Sequence, residues 1–117
     1  MHVLSADSIV GTRVQNMDSE DIGTIKAVMI DLAHGRIAYA VLDFGGFFGI
    51  GNKLFALPWS GFKINTEREV IMLDVDKEKL ENASGFDKDN WPDMSNMDFA
   101  TEIYSYYGND PYWKSTV

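Results

Sequence analysis

Residues 37–59 read IAYAVLDFGGFFGIGNKLFALPW, two apolar runs joined by a glycine-punctuated connection and closed by Pro58-Trp59. Side chains on a strand point to opposite faces in turn. Ala38, Ala40, Leu42 and Phe44 therefore share one face, and Ile37, Tyr39, Val41 and Asp43 share the other. Both faces are largely apolar, whereas a half-solvated strand shows a cleaner polar alternation. This strand is expected to be covered on both sides, the second cover being the chain's own tail or another copy. Lys53 to Trp59 repeats the pattern, with Phe55, Leu57 and Trp59 opposed to Leu54 and Ala56. Pro58 cannot donate to a ladder, which places it at a strand end or an edge.

Upstream, Leu4 to Ile9 leads in to Val10-Gly11-Thr12, and Arg13-Val14-Gln15 forms a short first strand. Asn16 to Asp21 is a polar turn, because Asn, Asp and Ser bond locally to backbone. A second strand runs from Ile22 to Leu32, with Ile22, Thr24, Lys26, Val28 and Ile30 on one face and Ile25, Ala27 and Met29 on the other. Ala33-His34-Gly35-Arg36 has the chemistry of a tight hairpin in which Gly35 takes a positive φ. Downstream, Phe62-Lys63-Ile64 and Val70 to Val75 form a second hairpin across Asn65 to Arg68. Six short strands separated by turns point to a mainly all-β unit, a small barrel or sandwich. Closure into a barrel is expected, since an open edge exposes unpaired backbone groups.

Composition shifts at Asp76. Asp76 to Gly85 reads as one or two helical turns with Asp76 as N-cap and Gly85 as the stop. Phe86 to Asp93 is a loop carrying Trp91-Pro92, and Ser95-Asn96-Met97-Asp98 has the look of a capping box with Asp in place of Glu. It opens a helix whose Phe99, Ile103 and Tyr106 or Tyr107 make one face before Gly108 and Pro111 end it. The division expected is a barrel over 1–75 and an acidic, aromatic-rich extension over 76–117, packed on the barrel or on a partner. Residues 74–117 hold eight of the fifteen aromatics, and each full burial is worth roughly 1.5 to 3 kcal/mol.

At 117 residues the chain fits one domain, and its 45% apolar and 13% aromatic content excludes a disordered class. It has no cysteine, which removes disulfides, thiolate catalysis and cysteine-ligated metal centres. Net charge is -8, with eight acids and six bases in residues 1–73 and ten acids and four bases in 74–117. That sign argues against nucleic acid and against anionic lipid. The first residues carry no basic stretch followed by a long apolar core, and no run approaches the roughly 20 apolar residues that span a bilayer, so a cytoplasmic protein without membrane insertion is expected.

Taken in order, several pieces carry a likeness: Leu4-Ser5-Ala6-Asp7 with Ile9-Val10-Gly11; Val14 and Asn16; Asp21-Ile22-Gly23 with Ile25; Val28 with Ile30-Asp31. Gly35, Ile37, Tyr39 and Val41-Leu42 follow, then Gly45-Gly46, Gly49-Ile50-Gly51 with Lys53, and Phe55 to Trp59. Together they resemble a PRC-barrel domain over about residues 4 to 75. The resemblance implies a six-stranded β-barrel of the type found in the cytoplasmic part of the photosynthetic reaction centre. The C-terminal domain of the ribosome maturation factor that binds a small-subunit ribosomal protein is of the same type. Those relatives use the barrel as a docking module, and the resemblance carries over no catalytic residue.

Other constellations are weaker. His34 lies in a turn and His2 at a terminus, and exposure is expected for both. Asp74-x-Asp76-x-Glu78 and Asp87-x-Asp89 begin like calcium loops, but the positions that need Gly and Glu hold Lys79 and Gly85, or Pro92 and Asp98. Gly45 to Gly51 lacks the order and the following helix of a phosphate-binding loop. In it, Phe47 and Phe48 either plug the barrel end or project as an anchor. The residues expected to meet a partner are Phe47, Phe48, Ile50, Tyr39, Trp59 and Trp91; aromatics, tryptophan above all, are enriched at binding hot spots. The function expected is a non-enzymatic protein-protein adaptor, homodimeric, with an unidentified protein partner and no cofactor or metal. A barrel that binds a small molecule or a metal as a regulator is the alternative.

Overall fold

The structure, a computed structural model, describes residues 3–44 and 53–114. Helix α1 (Ala6–Ile9) precedes strands β1 (Arg13–Gln15), β2 (Asp21–Asp31), β3 (Arg36–Asp43) and β4 (Leu54–Pro58). A 3-10 turn (Trp59–Gly61) leads to β5 (Phe62–Asn65) and β6 (Val70–Leu73), followed by α2 (Lys77–Glu81), α3 (Met97–Tyr106) and a last 3-10 turn (Tyr112–Lys114). The six strands make one sheet in the order β4-β3-β2-β1-β6-β5, antiparallel except for the parallel β1–β6 pair. Among the described residues no ladder joins β4 to β5, so hydrogen bonds do not close the sheet. All six strands nevertheless feed one core cluster, which includes Val14, Ile22, Leu42, Phe55, Phe62 and Ile71.

The length of β2 lets it serve two partners. Its first residues pair with β1 and the rest with β3, and the register steps between Ile25 and Ala27 and again between Met29 and Ile30. Each bulge adds a residue and turns the following side chains. Strict alternation, which sets Ile22 and Ile25 on opposite faces, is corrected by a further step in the pairing with β1, from Gln15–Asp21 to Val14–Gly23, which leaves Ile22 as the extra residue, and both isoleucines lie in the main core. Gly23 sits where β2 crosses from one partner to the other, with φ 134, and a Cβ there would run into the carbonyl oxygen of Asp43. The second step passes over Ala38, which joins Tyr39 in a separate cluster rather than Ala40 in the main one.

Turn chemistry ends the strands. The buried Asn16 side chain accepts the N–H groups of Asp18 and Glu20 at 3.0 Å each, closing the turn between β1 and β2. Strand β2 stops at Asp31, one residue short of the expected Leu32, because the Asp31 carboxylate accepts the N–H groups of Ala33 and His34 at 3.0 and 3.2 Å. Gly35 follows with φ 63. Strand β4 ends at Pro58, and Trp59 opens the 3-10 turn rather than continuing the strand.

Two expectations about the tail are corrected. Helix α2 ends at Glu81 with Asn82 as its C-cap, so Gly85 is not its stop. Gly85 instead lets the chain close on β4, where a Cβ would stand 2.7 Å from the Leu54 carbonyl oxygen, and Leu54 and Phe86 exchange backbone hydrogen bonds at 3.0 and 2.8 Å. The N-cap of α3 is Asn96 rather than Ser95, its side chain accepting from Asp98 and Phe99. At the other end Gly108 and Asn109 donate to the Ser105 and Tyr104 carbonyls, the paired bonds that finish a helix at a glycine.

Candidate docking surface

Helix α3 lies over the outer face of β3 and β4. Ala100 and Tyr104 are buried against Ala38, Tyr39 and Ala56, with Phe99, Ile103 and Trp113 packed around them. Ala100 and Tyr104 are four apart and so lie on one helical stripe. Tyr104 is 1% exposed, and its hydroxyl donates to the Ala38 carbonyl at 2.5 Å. Burial pushes the Tyr104 phenol up to about 12, and burial likewise pushes Tyr39 up to about 12. The second apolar face of β3 is thus sealed by the chain itself.

The last turn is tied to the β2–β3 hairpin by a polar cluster. The Tyr112 hydroxyl donates to Asp31 Oδ2 at 2.5 Å, His34 Nδ1 stands 2.9 Å from the same oxygen, and the Arg36 guanidinium lies 4.0 Å from the Tyr112 ring centroid. The Tyr112 hydroxyl, with His34 contributing, holds the Asp31 carboxyl below the usual carboxylate range although burial opposes this. His34 is exposed as expected for a turn, yet it is partnered by Asp31 and set edge-on to Tyr112 at 5.5 Å. A base that activates a nucleophile needs a hydroxyl or thiol within hydrogen-bond reach. No described hydroxyl bonds His34 other than through Asp31, so the pair reads as a structural tie.

Beside this tie, between the hairpin and the start of α3, lies a cleft of about 490 Å³. Met29, Ile30, Leu32, Met94 and Met97 supply its apolar lining, and Asp31, His34 and Tyr112 one polar end. Ile30 is 55%, Leu32 89% and Met97 53% exposed, which gathers three large apolar side chains in water around one depression. A second cleft of about 630 Å³ separates α1 from the β5–β6 turn, with Leu4, Val10 and Ile64 exposed along it and Ser8, Thr12 and Asn65 among its polar lining.

Of the residues expected to meet a partner, Tyr39, Trp59 and Trp91 are described, and each has different surroundings. Tyr39 is 3% exposed beneath α3, with rings of Phe99 and Tyr104 at 5.9 and 6.1 Å, so it belongs to the tail packing rather than to the surface. Trp59 is half-buried and stacked on Phe62 at 5.6 Å. Trp91 is 39% exposed, its indole N–H donating to the Lys88 carbonyl at 2.8 Å and its ring against Phe86 at 5.2 Å. Phe47, Phe48 and Ile50 lie outside the described residues. What the sequence reading missed is the grouping of Ile30 and Leu32 with Met94 and Met97, whose only linear signal is a pair of methionines three apart in an acidic segment.

All six strands lie within the residues that a family model matches. A model of the PRC-barrel domain matches residues 1–80. The chain belongs to the PRC-barrel family. No curated protein matches the chain. In this PRC-barrel chain the match stops near α2, so α3 and the last turn, which cover β3 and wall the cleft, lie beyond it. Among the described residues no group of three His, Asp or Glu side chains is placed to hold a metal ion, and no helix is long and apolar enough to cross a membrane.

Proposed function

We propose that this PRC-barrel chain is a non-enzymatic docking module that presents the cleft between the β2–β3 hairpin and α3 to another protein. One observation carries the reading: Ile30, Leu32 and Met97 stand exposed around a single depression, on a side of the sheet otherwise sealed by the tail. Apolar groups left in water around a concavity gain on burial by a partner. In this reading the strands work as a barrel whose β4–β5 seam is filled by side chains such as Phe55, Leu57 and Phe62. The rigid wall this makes holds the hairpin in place.

The test is site-specific photo-crosslinking in cells. A photoreactive residue at Leu32 or Met97 is expected to give a discrete protein adduct, and one at the exposed Glu81 on α2 is not. Equal labelling at all three positions, or none at the first two, removes the reading. Self-association is a second reading, favoured by Val3, Leu4, Val10 and Ile64 exposed near the α1 cleft. Sedimentation across a concentration range reads it, and Ile64→Glu is expected to leave only monomer.

A further inference from the structure

We propose that the cleft takes a basic segment with one apolar face, whose lysines or arginines lie over the carboxylates around the rim; this rests on the docking reading above. The lining is apolar and compliant: three of its side chains are Met29, Met94 and Met97, unbranched and polarizable, and able to repack around different apolar groups. Shape alone does not choose a partner here. Charge does.

The lining residues Met94, Ser95 and Met97 are flanked in sequence by Asp93 and Asp98, both exposed, and Asp93 Oδ1 accepts the Ser95 N–H at 3.0 Å. Asp31 closes the other end. The nearby nitrogen groups are engaged: His34 Nδ1 stands on Asp31, and the Arg36 guanidinium lies over the Tyr112 ring. Beyond the rim, residues 74–117 carry ten acids against four bases, and the whole chain carries -8. Such a field attracts cations and repels polyanions, so nucleic acid and anionic lipid are disfavoured. A second copy docking here by a two-fold contact would set the same carboxylates against each other, a like-charge juxtaposition that opposes association. A positively charged, apolar-faced peptide meets both the lining and the rim.

The experiment uses the full chain with carbon-13 methionine methyls and two synthetic peptides that share the same helical spacing of leucines, one filled with lysine and the other with glutamate. The Leu/Lys peptide is expected to move the methyl signals of Met29, Met94 and Met97 and to leave Met17 and Met72 in place. Added salt should weaken this binding, because screening acts on exposed charge pairs. Leu32→Ser, at a position 89% exposed and so without consequence for folding, should weaken it about tenfold or more. Asp93→Asn with Asp98→Asn should weaken it and flatten its salt dependence. The proposal is overturned if no methyl responds to the Leu/Lys peptide, or if the Leu/Glu peptide moves the same three equally. It is overturned too if those signals move with protein concentration alone, which would make a second copy the occupant. Crosslinking at Leu32 reads docking independently: success there with failure of the Leu/Lys peptide removes the basic partner and leaves the docking module.

Discussion

Two cases, a pair of glycines and one tyrosine, show how tightly backbone geometry constrains this chain. Gly23 has φ 134 and no room for a Cβ against the Asp43 carbonyl, whereas Gly35 has φ 63 with nothing within 4 Å. Gly35→Ala should therefore cost only the left-handed strain of about 1 kcal/mol, and Gly23→Ala about 3 kcal/mol or more, because strand β3 must move as well. Urea unfolding midpoints of the two variants measure the difference, and equal losses would show that the Gly23 approach is relaxed. Tyr104 is the second case. The register of β2 passes over Ala38 and pairing with β4 ends at Tyr39, so the Ala38 carbonyl takes its hydrogen bond from the Tyr104 hydroxyl. Tyr104→Phe keeps the ring and its packing but leaves a buried carbonyl unpaired, and should cost about 1 to 3 kcal/mol in the same assay. The need for a covered strand was legible in the two apolar faces of residues 37–44; which tyrosine would supply the cover was not, because the bulge that frees Ala38 is set by neighbouring strands.

At the scale of elements, α3 and the Phe86 bridge do different work on one edge of the sheet. Phe86 adds two backbone hydrogen bonds to β4, and α3 buries Ala38, Tyr39 and Ala56. A chain lacking residues 86–117 should lose solubility, because it uncovers that apolar face and leaves the β4 edge open to pairing with other chains. Light scattering and the yield of soluble protein check this. A truncated chain that stays soluble and monomeric would show that the face needs no cover. Asn, Asp and aromatic spacing predict a helix here with Phe99, Ile103 and Tyr106 or Tyr107 on one face; Phe99 and Ile103 do pack towards the sheet, but the buried stripe is Ala100 and Tyr104, and Tyr106 is exposed with its hydroxyl on the Lys79 carbonyl. The cap moved by one residue, to Asn96, since both Ser95 and Asn96 are good caps and only the packed position of α3 chooses between them. Phe47, Phe48 and Ile50, the boldest linear signal for a binding site, belong to a glycine-rich connection outside the described residues, while the surface that is described was assembled from segments sixty residues apart.

For the whole molecule, the tyrosines of the tail and Tyr39 beneath them make stability respond to alkali. Burial pushes Tyr39 and Tyr104 up to about 12 from an ordinary value near 10, and raises Tyr107 and Tyr112 as well. The folded state holds these phenolic protons more tightly than the unfolded state does. The stability they contribute is complete below about pH 10 and drains away as pH rises towards 12 and beyond. Phenolate absorbance and far-UV circular dichroism should therefore change together over that range; phenols ionising well before unfolding would contradict the packing of α3 on β3. The amino-acid sequence by itself determined the strand count, the hairpins, the doubly apolar β3 and the family likeness, because these rest on local periodicity, turn chemistry and short motifs. Only the tertiary structure decided where β2 bulges, that among the described residues no ladder joins β4 to β5, and that Ile30, Leu32, Met94 and Met97 surround one cleft. Those depend on the register between strands and on the docking of a distant helix, and neither is written in the spacing of residues along the chain.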